Sequence, residues 1–222
     1  MFPIINGSSF SILTMLGKKT QTMPKPMVQV LIAHFGIDPF IVLISCLLSL
    51  RARDTATLPV CMELFEYVRT PEQMIELSLV ELERRFYSLG FYRAKASQVK
   101  EACHELIERF SGKVPGSMDE LLSIKGVGRK TANLVLGHAF GVPSICVDVH
   151  VHRISNRLGL VSTKTPEQTE FALQKIIPKE FWIELNTLLV VWGQNVCTPV
   201  SPRCSRCPLF DQCIRKGVTS SR

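Results

Sequence analysis

The residues best placed to do chemistry stand together in Lys125-Gly126-Val127-Gly128-Arg129-Lys130. Two glycines around one valine permit a tight turn and let the backbone approach a ligand closely. A helix expected from residue 128 onward offers its first N–H groups and its positive dipole end at this turn. Together these make a phosphate site, with Val127 plugged into the core. Lys130 falls in the first turn of that helix. A primary amine attacks an electrophilic carbon and forms a Schiff base only when unprotonated, and a positive helix end, helped by partial burial in a cleft, works against a charge there. The same residues also suit a plain interhelical turn followed by an exposed lysine that balances phosphate charge. Further along, Asp148 in Val147-Asp148-Val149-His150-Val151 precedes a helical segment and is a natural N-cap; a cap is also a rigidly held carboxylate.

Four cysteines crowd the C-terminal end: Cys197, Cys204, Cys207 and Cys213, spaced C-x6-C-x2-C-x5-C. Four thiolates satisfy either a tetrahedral zinc or an iron–sulfur cluster, so ligand count does not choose between them. Paired C-x-x-C knuckles are the commoner zinc signature, and a single such pair is present. The other four cysteines (Cys46, Cys61, Cys103, Cys146) lie scattered in apolar stretches and read as small buried hydrophobes of a reduced compartment.

These groups need a scaffold. A chain of 222 residues that is 46% hydrophobic buries a substantial core, and its net charge of +7 favours a polyanionic partner through counterion release. Strict alternation is almost absent, whereas spacings of three and four recur, which predicts an all-α fold. The clearest helix follows Tyr92, where Val99, Ala102, Cys103, Leu106, Ile107 and Phe110 form one apolar stripe; Glu101, Glu105 and Glu108 read as its solvated face. Other helices are expected near 24–35, 38–50, 55–68, 71–76, 79–87, 118–123, 128–140, 149–158, 166–175 and 180–194. Connections are short, and residues 141–144 are the expected crossing between two helical lobes. Residues 1–22 read as an extension without structure, and no run is long and apolar enough for a membrane span.

The stretch Ile124-Lys125-Gly126-Val127-Gly128-Arg129-Lys130-Thr131-Ala132-Asn133 resembles the helix-hairpin-helix of the endonuclease III family of DNA glycosylases. Val147-Asp148-Val149-His150-Val151 resembles that family's aspartate motif, and the four terminal cysteines have the spacing of its 4Fe-4S cluster. The resemblance covers roughly residues 24–215. It implies a six-helix barrel lobe over 37–142 containing the helix-hairpin-helix (118–140), and a second helical lobe from 23–36 and 143–222 whose iron–sulfur loop spans 197–213. The two would flank a DNA-binding cleft. It implies a bifunctional glycosylase and AP lyase of base excision repair: Lys130 as the Schiff-base nucleophile, Asp148 as the carboxylate that stabilises the cationic sugar, and Lys125, Gly126, Val127, Gly128 and Arg129 on the DNA backbone. A 4Fe-4S cluster on the four cysteines would act as a structural clamp. Its partner would be double-stranded DNA with damaged bases, chiefly oxidised pyrimidines, or abasic sites, met by a monomer in a reduced intracellular compartment, the cytoplasm and nucleoid in a prokaryote.

Ser49-Leu50-Arg51-Ala52-Arg53-Asp54 and Leu89-Gly90-Phe91-Tyr92 resemble the two loops that reach the base stack. Arg51 stands where the family usually has glutamine, Phe91 where a leucine wedge is common, and Lys125 where a proline precedes the hairpin glycine. Arg51 is expected to meet the unpaired opposite base and Phe91 to intercalate; Lys125 is expected to loosen the turn while adding a phosphate contact. Asp54 reads as an N-cap. Two rival readings are a mismatch-specific glycosylase of the same superfamily and a non-catalytic, zinc-containing DNA-binding module. The adenine-specific relatives carry a glutamate at the position of Cys46 and lack the lysine after the hairpin; pure binding requires neither Lys130 nor Asp148.

Overall fold

The computed structural model describes residues 8–222, with side chains from residue 11. Among the described residues the chain forms twelve α-helices and no strand. They are α1 (Ser8–Thr20), α2 (Met27–Phe35), α3 (Pro39–Ser49), α4 (Asp54–Phe65), α5 (Pro71–Glu76), α6 (Leu79–Arg85), α7 (Tyr92–Phe110), α8 (Met118–Leu122), α9 (Arg129–Phe140), α10 (Val149–Leu158), α11 (Pro166–Gln174) and α12 (Trp182–Asn195). Single 3₁₀ turns occupy Lys179–Phe181 and Cys204–Arg206. None of these helices is long and apolar enough to cross a membrane. The chain divides into two compact units: one is Pro26–Val142, the other joins the residues up to Lys25 to Pro143–Arg222.

In the unit Pro26–Val142, α3 is the central element. Every residue from Phe40 to Leu48 is buried, as a helix apolar on all sides must be. Asp38 starts it, its carboxylate accepting from the Phe40 and Ile41 amides at 2.8 and 3.3 Å, with Pro39 preset for the first turn. The long α7 lays Ala96, Val99, Ala102, Cys103 and Leu106 into the same core, as its stripe predicts, while Ile107 and Phe110 are half-buried. The α2 segment, expected to join the C-terminal part, packs on α3 and α4 instead. Its Met27, Val28 and Leu31 enter the α3 core, and the Met27 amide donates to Asp54 Oδ2 at 3.3 Å. Asp54 is therefore no N-cap: Arg53 holds that position, and the Asp54 carboxylate ties the start of α2 to the start of α4.

The other unit carries the main departure from expectation. Residues 1–7 lie outside the described residues, but Ser8–Thr20 is a helix packed along α12 rather than an unstructured extension. Ile12, Leu13 and Leu16 are 3%, 3% and 0% exposed and share a core with Leu185, Leu188, Leu189 and Trp192. Burying three such side chains contributes about 2 kcal/mol each towards holding the helix in place. The core is completed by Ile145, Val147, Val151, Ile154 and Leu158 around the start and inner face of α10.

Candidate functional site

Serine 117 opens the hairpin by accepting the Glu120 amide at 3.3 Å, and α8 then runs five residues before the turn. The Val127 amide donates to Ile124 O at 3.0 Å, and Ile124 and Val127 are 1% and 6% exposed, so the turn is plugged into the core as expected. The two glycines differ in role. Gly126 has φ +85°, and a Cβ there would collide with the Gln98 side-chain amide; Gly128 has φ −99°, with open space where its Cβ would lie. The fold thus requires Gly126 and merely tolerates Gly128, although the sequence suggested that both serve the turn. Gly128 is the N-cap of α9 and provides no side-chain cap. Gly126→Ala is expected to cost at least about 1–2 kcal/mol of stability. Gly128→Ser, a better cap in open space, is expected to hold the melting temperature, and thermal denaturation of both variants checks the contrast.

One face of α7 braces this hairpin. Gln98 Nε2 donates to Gly126 O at 3.3 Å, Glu101 pairs with Lys125 Nζ at 2.8 Å, and Glu105 accepts the Lys125 amide at 3.1 Å. Arg109 joins Glu105 at 2.7 Å and donates to the Ser123 carbonyl and hydroxyl at 3.1 and 2.7 Å. Glu101 and Glu105, read from sequence as solvated, are structural partners of the turn; Glu108 remains exposed. The bond from Lys125 N–H explains the missing proline, which has no N–H to donate. Rigidity comes from Glu105 rather than from a ring. The Lys125 ammonium already holds Glu101: their hydrogen bond keeps the Glu101 carboxyl below the usual range and raises Lys125. The signal in the sequence was the recurrence of polar residues at 98, 101, 105 and 109, one helix face.

Lys130 is the second residue of α9 and is exposed rather than partly buried. Beneath it α9 packs on α3, and the electrostatic influence of Lys130 reaches the Cys46 thiol there. Burial pushes that thiol up to about 12, with the lysine charge pulling the other way, so Cys46 is an inert neighbour. Arg51 and Phe91, distant in sequence, come together: the guanidinium carbon of Arg51 lies 6.0 Å from the Phe91 ring centroid. Both are exposed and both have left-handed backbone, with φ 54° and 59°. Sequence reasoning placed these residues on two separate loops and did not foresee the pairing.

Asp148 and the four terminal cysteines belong to the other unit. Asp148 caps α10, and both cap bonds, from the His150 and Val151 amides at 2.9 Å, fall on the one oxygen Oδ1. His152 bonds Thr169 at 2.7 Å and His150 lies 3.1 Å from Arg153, so each imidazole has a structural partner. Cys197, Cys204, Cys207 and Cys213 all line one pocket, with Ile154, Leu158, Trp192, Val196 and Phe210 among its walls. Burial raises the Cys207 and Cys213 thiols. Four thiolates in such apolar walls require a bound cation to be stable, and the donor set fits an iron–sulfur cluster. Arg157, 8% exposed, donates to Cys197 Sγ at 3.5 Å and to the Thr198 and Pro199 carbonyls at 2.7 Å. Arg153 grips the Cys197 carbonyl at 2.8 Å. On this tail Arg203, Arg206, Arg215 and Lys216 are all exposed; Lys216 Nζ bonds Ser162 Oγ at 2.8 Å and the Arg215 guanidinium lies over the Phe210 ring.

Residues 44–179 match the model of the HhH-GPD superfamily base excision DNA repair proteins, and residues 197–213 match the iron–sulfur binding domain of endonuclease III. Endonuclease III of Thermotoga maritima is 46% identical over 180 residues, 81% of this chain and 84% of the relative; that of Bacillus subtilis is 39% identical over 81% and 82%. A solved trapped endonuclease III–DNA covalent intermediate superimposes with a TM-score of 0.83 at 37% identity, covering 94% of this chain and 95% of that one. The all-helical architecture is thus that of endonuclease III, and the cofactor of the four-cysteine segment is the 4Fe-4S cluster. A superfamily match across more than half the chain, followed in register by the iron–sulfur domain, places this protein in the endonuclease III family of DNA-binding, base-excising glycosylases.

Proposed function

We propose that this chain is a bifunctional DNA glycosylase and AP lyase in which Lys130 is the nucleophile. The observation that carries the reading is the position of Lys130: second residue of α9, exposed, directly behind a hairpin whose cap glycine carries no side chain. Backbone N–H groups at such a helix start bind phosphate, which sets the sugar of the same nucleotide beside the amine. Lys130 Nζ attacks C1′, the glycosidic bond breaks, and the base leaves with a proton. The Asp148 carboxylate stabilises the positive charge that develops on the sugar, as carboxylates do in glycoside hydrolysis. The ring opens to a Schiff base, loss of a C2′ proton expels the 3′ phosphate, and water releases the aldehyde from the lysine. The relative solved as a trapped covalent intermediate with DNA supports a covalent route.

Lys125, Gly126, Val127, Gly128 and Arg129 form the backbone grip. Arg51 and Phe91 probe the strand opposite the lesion, which base flipping leaves unpaired. The substrates are oxidised pyrimidines in duplex DNA, and the enzyme acts as a monomer in the cytoplasm. A panel of duplexes, each with one lesion, treated with and without borohydride, tests this. Strand cleavage and a covalent adduct on oxidised pyrimidines are expected; base release from an intact strand would sink the lyase reading.

Cys197, Cys204, Cys207 and Cys213 hold the cluster, which clamps a tail too short to form its own core. Purified protein should be coloured and contain iron. Cys207→Ser is expected to remove the visible absorbance and lower the melting temperature, because cluster binding is part of the folding free energy. A colourless protein with stoichiometric zinc would contradict the assignment.

A further inference from the structure

Lys95 lies in the core stripe of α7, between the first turn and Ala96 and Val99, and is 4% exposed. A methionine would fill the same volume without taking an ammonium out of water, and burial does pull the Lys95 amine down. What the charge does there is specific. Lys95 Nζ donates to Leu50 O at 2.8 Å and to Gly90 O at 2.7 Å. Each acceptor belongs to the peptide unit that leads into a left-handed residue: Leu50 into Arg51, with φ 54°, and Gly90 into Phe91, with φ 59°. Neither of those residues is glycine, so each is held in a conformation that its Cβ disfavours. The two loops are 45 and 5 residues from Lys95 in sequence, yet the same ammonium holds both, and their tips meet at Arg51 and Phe91.

We propose that Lys95 is a positioning residue for opposite-strand recognition: its buried ammonium locks the two loops into one unit and aims Arg51 and Phe91 at the same point of the duplex. This rests on the reading of Arg51 and Phe91 as the groups that enter the stack. Without the clasp each loop relaxes towards ordinary backbone angles independently, and the two side chains lose their common direction.

The test uses the cluster-loaded full chain and a duplex with 2-aminopurine opposite a tetrahydrofuran abasic analogue, whose fluorescence rises when the opposite base is unstacked. Lys95→Met, which removes both charge-assisted hydrogen bonds, is expected to reduce that rise by at least about tenfold, the factor for the loss of either one. Borohydride trapping at a natural abasic site, which reads Lys130, should fall by a clearly smaller factor. Equal losses in both readouts would reduce Lys95 to a packing role and overturn the proposal, as would no loss in either. Arg51→Ala and Phe91→Ala separate the two ideas. If they leave the fluorescence unchanged, the loop reading fails and the proposal with it; if they lower it and Lys95→Met does not, the clasp alone fails. Should Lys95→Met not fold, hydrogen exchange in the native chain decides. Residues 49–53 and 89–93 are expected to open with one common protection factor, and independent opening would refute the clasp.

Discussion

Replacing Lys130 by alanine is expected to abolish the borohydride-trapped adduct and to lower single-turnover base release by at least about 10³-fold, because the covalent route has no other nucleophile to run on. DNA affinity should stay within about tenfold, since in the proposed reading the phosphate grip comes from the hairpin backbone and not from the amine. Lys130→Arg should be nearly as damaging as alanine: a guanidinium keeps the charge for phosphate but is never neutral, so it cannot form the imine. That variant separates the nucleophile from the alternative in which an exposed lysine only balances charge. Full activity in Lys130→Arg would refute covalent catalysis at this residue. The neighbouring Cys46 cannot take over, for burial holds its thiol up to about 12.

Asp148→Asn should slow base release by about 10²–10³-fold while leaving the melting temperature and DNA affinity nearly unchanged. The cap geometry permits this separation. Both amide bonds of the α10 start fall on Oδ1, at 2.9 Å each, and an asparagine carbonyl accepts them as well as a carboxylate does. What the substitution removes is the negative charge, which is what a positively charged sugar requires. Asp148→Ala serves as the contrast: it loses the cap too and should cost about 1 kcal/mol of stability as well as activity. If Asp148→Asn released bases at the wild-type rate, Asp148 would be a cap and nothing more. Measuring rate and melting temperature on the same preparations distinguishes the two roles.

Much of the scaffold was legible because its signals are local. Periodicity placed the helices from α2 to α12 within a few residues, and α5 and α10 at their observed bounds. Three features of the hairpin were also written in short stretches of chain: a turn glycine, a plugging valine and a lysine one step into the next helix. The cysteine spacing pointed to the cluster for the same reason, as its ligands lie within seventeen consecutive positions. Local signals also misled. Ser8–Thr20 has little charge patterning of its own, and its helix exists because Ile12, Leu13 and Leu16 find α12. Asp54 looked like a cap because an aspartate at a helix start usually is one, whereas its partner is the amide of Met27 from another helix.

By itself the sequence supplied the candidates for chemistry, an amine, a carboxylate and four thiols, each at an expected helix start or in a fixed spacing, and it was their resemblance to a family motif that gave them roles. Those signals are local because helix starts and glycine turns are set by neighbours in the chain. Only the tertiary structure decided how the hairpin, Arg51 and Phe91 are held. The α7 face that braces Gly126 and Lys125, the meeting of Arg51 with Phe91, and the lysine that grips the peptides before both arise between segments far apart in sequence. No periodicity encodes such contacts, because a buried ammonium and two left-handed residues are unfavourable until packing brings the carbonyls and the charge together.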